Sequence, residues 1–201
     1  MKRIFSFLTA LLITSAGYSQ TAENYYNNGL AKYLIKDYSG AITDYNKAIE
    51  KSPRFADAYA GRAIVKLTLE DERGAVSDLN KAIELKPEDA MFHFNRGIAK
   101  YNQQDARGAI TDYNTAIELN SKYVEAYDNR GIAKYHLKDY IGAISDYNKA
   151  IVLNPKYALA YYDRGLAKIE LGQKESGCLD LSKAGELGDA EAYDAIKKYC
   201  Q

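Results

Sequence analysis

The sequence predicts an all-α solenoid, a coil of stacked helix pairs, and three observations carry that expectation. A 34-residue unit recurs five times, beginning at Ala22, Ala56, Ala90, Val124 and Ala158. Counted from those starts, position 8 is small in every copy (Gly29, Ala63, Gly97, Gly131, Gly165), as is position 20 (Ala41, Ala75, Ala109, Ala143, Gly177). Position 24 is large (Tyr45, Leu79, Tyr113, Tyr147, Leu181) and position 27 is always alanine (Ala48, Ala82, Ala116, Ala150, Ala184). A unit of this length cannot bury its own apolar face and must stack on its neighbours. A chain built this way presents an extended binding surface rather than an enclosed reaction vessel.

Each unit reads as two helices. In the second copy, Ala56–Leu69 is one amphipathic stretch and Gly74–Leu85 another, with Ala75, Val76, Leu79, Ala82 and Ile83 at three- and four-residue spacings. The link between the helices carries an aspartate in four copies (Asp37, Asp71, Asp105, Asp139), placed to cap the free amides of the second helix. Small residues at positions 8 and 20 let the two backbones approach, and position 24 fills the gap beside them. The only prolines, Pro53, Pro87 and Pro155, all fall at position 32, where a missing amide and a fixed φ end one helix before the next begins. The third copy has Ser121 there.

Stretches such as YDNRGIAKYHLKDYIGAISDYNKAIVLNPKY resemble tetratricopeptide repeats, over residues 22 to 189 or so. The resemblance implies a right-handed α-solenoid of helix-turn-helix repeats. Four repeats are expected over 22–55, 56–89, 90–123 and 124–157, within a segment 20–157, then a degenerate fifth over 158–189 and a capping helix over 190–201. The family's usual Trp at position 4 is replaced by Tyr25, Tyr59, His93, Tyr127 and Tyr161, and its usual Tyr at position 11 by Lys32, Lys66, Lys100, Lys134 and Lys168. In the fifth copy Asp189 stands where proline would, as suits a terminal unit whose outer face meets water.

Residues 1–19 read as a secretory signal peptide: Lys2 and Arg3 head it, Ile4 to Ile13 are apolar, and Gly17 and Ser19 precede a cut ahead of Gln20. The apolar stretch is short for a membrane span, so no stable insertion is expected after cleavage. The expected location is the periplasm or the cell exterior, the signal and the repeat wording being similar to those of exported bacterial proteins. Losing Lys2 and Arg3 leaves 25 basic against 27 acidic side chains, with no basic run or stripe. Nucleic acid is therefore not an expected partner.

No Gly-rich phosphate loop, Cys-x-x-Cys pair or nucleophile elbow is present. The two histidines, His93 and His136, fall at positions 4 and 13, so the repeat does not present them as a pair. His93 replaces a packing tyrosine and reads as a core residue. The expectation is a protein with no enzymatic activity, no cofactor and no metal site.

The resemblance implies a concave face lined by first-helix positions 2, 5, 9, 12 and 13. The candidate groove residues on it are Tyr26, Tyr33, Phe94, Tyr101, Asp128, Tyr135, His136 and Tyr162. Their rings offer rigid contact area for an extended peptide or a partner helix, although the same rings suit packing between neighbouring helices. The family's clamp for an acidic peptide terminus needs Lys at position 5 and Asn at position 9, and neither is present. The expected function is binding of a protein or peptide in this groove. The alternative is a structural subunit of an envelope or secreted assembly that uses its convex face or its ends.

Two polar features complete the reading. Position 7 is Arg62, Arg96, Arg130 and Arg164 but Asn28 in the first copy, and position 23 is aspartate throughout. Because the first copy lacks the arginine, each arginine is expected to reach back to the preceding repeat, as Arg62–Asp44, Arg96–Asp78, Arg130–Asp112 and Arg164–Asp146. Lys198, at position 7 after Asp180, would then serve as the last cation. Cys178 and Cys200, the only cysteines, each lie eleven residues from Asp189. If the helices on either side run antiparallel, the two thiols meet and an exported chain can keep the disulfide.

Overall fold

The computed structural model describes residues 21–201, so the signal-peptide segment 1–19 lies outside the described residues. Eleven helices and no strand make up that span. The first helices of the repeats are α1 (Ala22–Leu34), α3 (Ala56–Thr68), α5 (Ala90–Asn102), α7 (Val124–His136) and α9 (Ala158–Glu170). The second helices are α2 (Tyr38–Lys51), α4 (Glu72–Leu85), α6 (Ala106–Leu119), α8 (Tyr140–Leu153) and α10 (Lys174–Glu186), and α11 (Glu191–Tyr199) closes the chain. Each second helix packs between the first helix of its own repeat and that of the next. Successive first helices also touch one another, which puts them on the inside of the curve.

The four linker aspartates cap as expected: Asp37, Asp71, Asp105 and Asp139 accept the amides of Gly40, Gly74, Gly108 and Gly142, each at 2.9 Å. In the fifth repeat Gln173 replaces the aspartate and α10 has no side-chain cap. The tight turn before each cap needs a left-handed residue at position 15. Lys36, Glu70, Gln104 and Lys138 adopt it with φ of 60–66°, and only the fifth copy places a glycine there, Gly172.

Close packing within a repeat is set by positions 8 and 24. A Cβ built on Gly97 would lie 2.5 Å from the Tyr113 ring, and Gly29 and Gly131 stand likewise against Tyr45 and Tyr147. In the second repeat the smaller Leu79 faces Ala63. Over the first four repeats, large with none and medium with small keep the interior filled. The position-4 ring ties each repeat to the loop before it: Tyr59 Oη donates to the Pro53 carbonyl, His93 Nε2 to that of Pro87 at 2.8 Å, and Tyr127 Oη to that of Ser121. His93 is accordingly buried.

The arginine–aspartate pairing differs from expectation. Arg62 binds Asp78, not Asp44; Arg96 binds Asp112, not Asp78; Arg130 binds Asp146, not Asp112; Arg164 binds Asp180, not Asp146. Each contact is two-pronged, Nε and Nη2 reaching the two carboxylate oxygens, as Arg96 does at 3.0 and 2.6 Å. The reason is that positions 7 and 23 face each other across the antiparallel pair within one repeat. What crosses to the preceding repeat is the third nitrogen: Nη1 of Arg62, Arg96, Arg130 and Arg164 donates to Asn46, Asn80, Asn114 and Asn148 at position 25. The position-11 lysine supplies a second cation, Lys66, Lys100, Lys134 and Lys168 each lying 2.7–2.8 Å from the same aspartate. Asp44, facing Asn28 instead of an arginine, is held by Lys32 alone. Lys198 lies over the Tyr199 ring and takes no part, Asp180 being already held by Arg164 and Lys168.

At the C-terminus α11 folds back on α10. Asp189 starts it, accepting the amides of Glu191 and Ala192. Cys178 and Cys200 are joined there, their Cα atoms 5.9 Å apart. The bond closes a loop of 22 residues, which corresponds to about 3 kcal/mol in the chain-entropy account. Thiol titration of the denatured, unreduced protein is expected to find no free thiol, and reduction to lower the melting temperature. Two titratable thiols in protein from an oxidising compartment contradict the bond.

Candidate functional site: the concave groove

The groove is floored by the first helices, and its character changes along its length. At the N-terminal end Tyr26, Leu30, Tyr33, Tyr45, Ile64 and Met91 surround a slot of about 90 Å³, with Asp57 at its edge. The slot exists because the second repeat carries Ala60 and Gly61 where its siblings carry larger side chains. A Cβ on Gly61 would sit 2.8 Å from Tyr45 Cζ, so the ring itself forms the wall.

Position 5 turns out to be largely a packing position. Tyr26 lies against Tyr45 and Phe55, with ring centroids 5.8 and 5.2 Å apart. Phe94 is wedged between Tyr113 and Tyr123 at 5.8 and 4.7 Å. In the first and third repeats the position-5 ring thus packs on positions 24 and 34 of its own repeat. Position 12 faces it more openly, with Tyr33 leaning on Tyr38. In mid-groove Tyr101, Tyr135 and His136 come together, the imidazole meeting the rings edge-on at 5.4 and 6.2 Å. Tyr101 and His136 border an open hollow of about 530 Å³. His136 is exposed, and with the two rings it offers the groove a contact surface.

Asp128 takes the position-5 place in the fourth repeat and is 2% exposed. Its Oδ2 accepts a hydrogen bond from Tyr157 Oη at 3.3 Å, and its Oδ1 has no partner. Burial pushes this carboxyl up to about 7. Next to it along the groove lies Asp163, a residue not anticipated from the sequence. Burial and the neighbouring charges of Asp128, Asp189 and Glu191 push it up to about 8. The signal was present: position 6 reads Asn27, Gly61, Asn95, Asn129, Asp163, a single acid among neutral residues. Tyr162 and Asp163 line a cavity of about 530 Å³ with Leu159, Asp189 and Glu191. Burial also raises nearby phenols, Tyr135 to about 12 and Tyr147 and Tyr157 further. Among the described residues, no group of three or more His, Cys, Asp or Glu side chains is placed to hold a metal ion.

A tetratricopeptide repeat family model matches residues 61–118, and a TPR repeat model matches residues 29–69 and 133–172. The chain is a tetratricopeptide repeat (TPR) protein. Solved TPR solenoids superpose on it. MamA is 25% identical, with 82% of this chain and 96% of that chain covered at a TM-score of 0.74. YrrB, described as a TPR protein with an unusual peptide-binding site, is 23% identical over 88% of this chain and 92% of its own, at 0.73. PilF of Pseudomonas aeruginosa is 20% identical over 83% and 76%, at 0.76. The latter two speak for the fold alone. No curated protein sequence matches the chain. No helix among the described residues is long and apolar enough to cross a membrane.

Proposed function

We propose that this TPR protein is a non-catalytic interaction module that holds an extended peptide or a segment of a partner protein in its concave groove. It works in the periplasm or outside the cell after removal of residues 1–19. The observation that carries the reading is the slot at the N-terminal end of the groove. A TPR solenoid that served only as a spacer would gain from filling it, since empty apolar space forgoes dispersion contacts. Here the repeat pattern is broken at Ala60 and Gly61 in a way that keeps it open. Its size and lining suit one apolar side chain of a ligand, the kind of buried anchor that dominates peptide affinity. The protein-interaction role of TPR folds and the peptide-binding site named for YrrB point the same way.

Leu30 forms one lip of the slot and is 41% exposed, so Leu30→Asp places a charge at its mouth without disturbing the core. Peptides selected from a random display library on the wild-type chain are expected to bind Leu30→Asp at least tenfold more weakly. Equal binding by the two proteins discards the slot as the anchor.

A further inference from the structure

We propose that the C-terminal half of the groove receives a lysine or arginine side chain of the bound partner, seated at Asp128 and Asp163. This rests on the groove reading and names the chemistry of one of its subsites.

The inference starts from how the chain treats its other buried acids. All five position-23 aspartates are buried and each has a cation in contact: Lys32 on Asp44, and an arginine with a lysine on Asp78, Asp112, Asp146 and Asp180. Asp128, equally buried, and the half-buried Asp163 break that rule. Among the described residues neither has a lysine, arginine or histidine within 4.0 Å. Asp128 is as deeply buried as the paired acids, yet one of its oxygens has no partner of any kind. A buried carboxylate left without a counter-charge is costly, and a protein escapes the cost by protonating it or by supplying a cation.

Asp128 on α7 and Asp163 on α9 belong to neighbouring inner helices that touch, and Asp163 feels the Asp128 charge. The charges that bear on them are all negative: Glu125 on Asp128, and Asp128, Asp189 and Glu191 on Asp163. Asp163 opens onto the cavity beside Tyr162, so a side chain can enter from the groove. The Tyr162 ring lines that cavity beside Asp163. Aromatic faces beside carboxylates favour a cation twice over, by ion pairing and by the ring quadrupole. A basic side chain reaching in would complete here the arrangement that Arg and Lys make on each position-23 aspartate. The occupant is a peptide cation rather than a bare metal ion, because no three-ligand acidic or histidine group is assembled. The site also lies on the same inner row of helices as the apolar slot, α7 and α9 continuing the surface of α1 and α3 through α5.

The test uses the full chain and a random dodecapeptide display library. Wild-type protein is expected to enrich peptides carrying Lys or Arg at one fixed distance from an apolar residue. Changing that basic residue to Gln in a selected peptide should weaken binding at least tenfold, a measurement that needs no protein variant. On Asp163→Asn and Asp128→Asn, each isosteric with the protonated acid, the same peptide change should cost less than threefold. If the Arg-to-Gln change costs as much on Asp163→Asn as on wild type, or if selected peptides are acidic or uncharged, the basic subsite is wrong while the groove stands. If no peptide is enriched at all, both readings fall.

Discussion

Asp112→Ala is expected to destabilise the protein by about 3–5 kcal/mol, the cost of removing one member of a buried ionic cluster. Asp112 is 1% exposed and holds both Arg96 and Lys100. Its loss leaves two cations facing each other at the seam between α5 and α6. Asp44→Ala is the control. Asp44 is paired only with Lys32, which is 38% exposed and can turn to water, so the loss there should be nearer 1 kcal/mol. Urea unfolding of the two variants beside wild type measures the difference; equal losses would mean that the two-pronged arginine contact adds nothing.

Asp163→Asn is expected to act in the opposite sense and to stabilise the fold as pH rises. The folded-state value of about 8 lies above the ordinary carboxyl value of 3.8. Between those limits the native state holds a proton that the unfolded chain has released, so wild-type stability falls from about pH 4 to pH 8 on account of this group. The neighbours that set the shift are Asp128, Asp189 and Glu191, all acidic, and burial is the larger cause. At about 1.36 kcal/mol per unit, trimmed for partial access to water, Asn should gain about 2–4 kcal/mol over wild type at pH 9 and almost nothing at pH 4. Thermal melts of both proteins across that range give the difference directly. A variant no more stable than wild type at pH 9 would show that Asp163 is not held in an uncompensated site.

The contrast between these two aspartates also shows how far the residues alone could be read. The period, the two helices per unit, the aspartate caps and the C-terminal pairing of Cys178 with Cys200 follow from local rules: spacing, cap chemistry and antiparallel counting. The partner of Arg62 does not. Position 7 of one repeat and position 23 of the same repeat lie sixteen residues apart, and only the packed geometry of α3 on α4 brings Arg62 onto Asp78 rather than Asp44. The absence of arginine from the first copy pointed to the neighbouring repeat for a sound reason, since Nη1 does bridge to it; the acceptor is Asn46, not the aspartate. The groove was read for its rings, and rings at position 5 proved to be occupied with Tyr45, Phe55, Tyr113 and Tyr123. Its most distinctive groups are carboxyls whose character comes from what surrounds them, and surroundings are a tertiary property.

The bridging guanidinium has a mechanical consequence. Each of four arginines is clamped to its own unit by two contacts and tethered to the previous unit by one, so the coil is a spring with a stiff tie at every turn. Those ties sit at the same place in each turn and set its pitch uniformly, so stretching or twisting the coil must strain all four together. The first turn has a tie only on its trailing side, because Asn28 stands where an arginine would reach outward. The C-terminal end alone adds a covalent lock to these ties, the cross-link between α10 and α11. A ligand that spans the groove would meet one end held by hydrogen bonds alone and one held by a covalent bond as well.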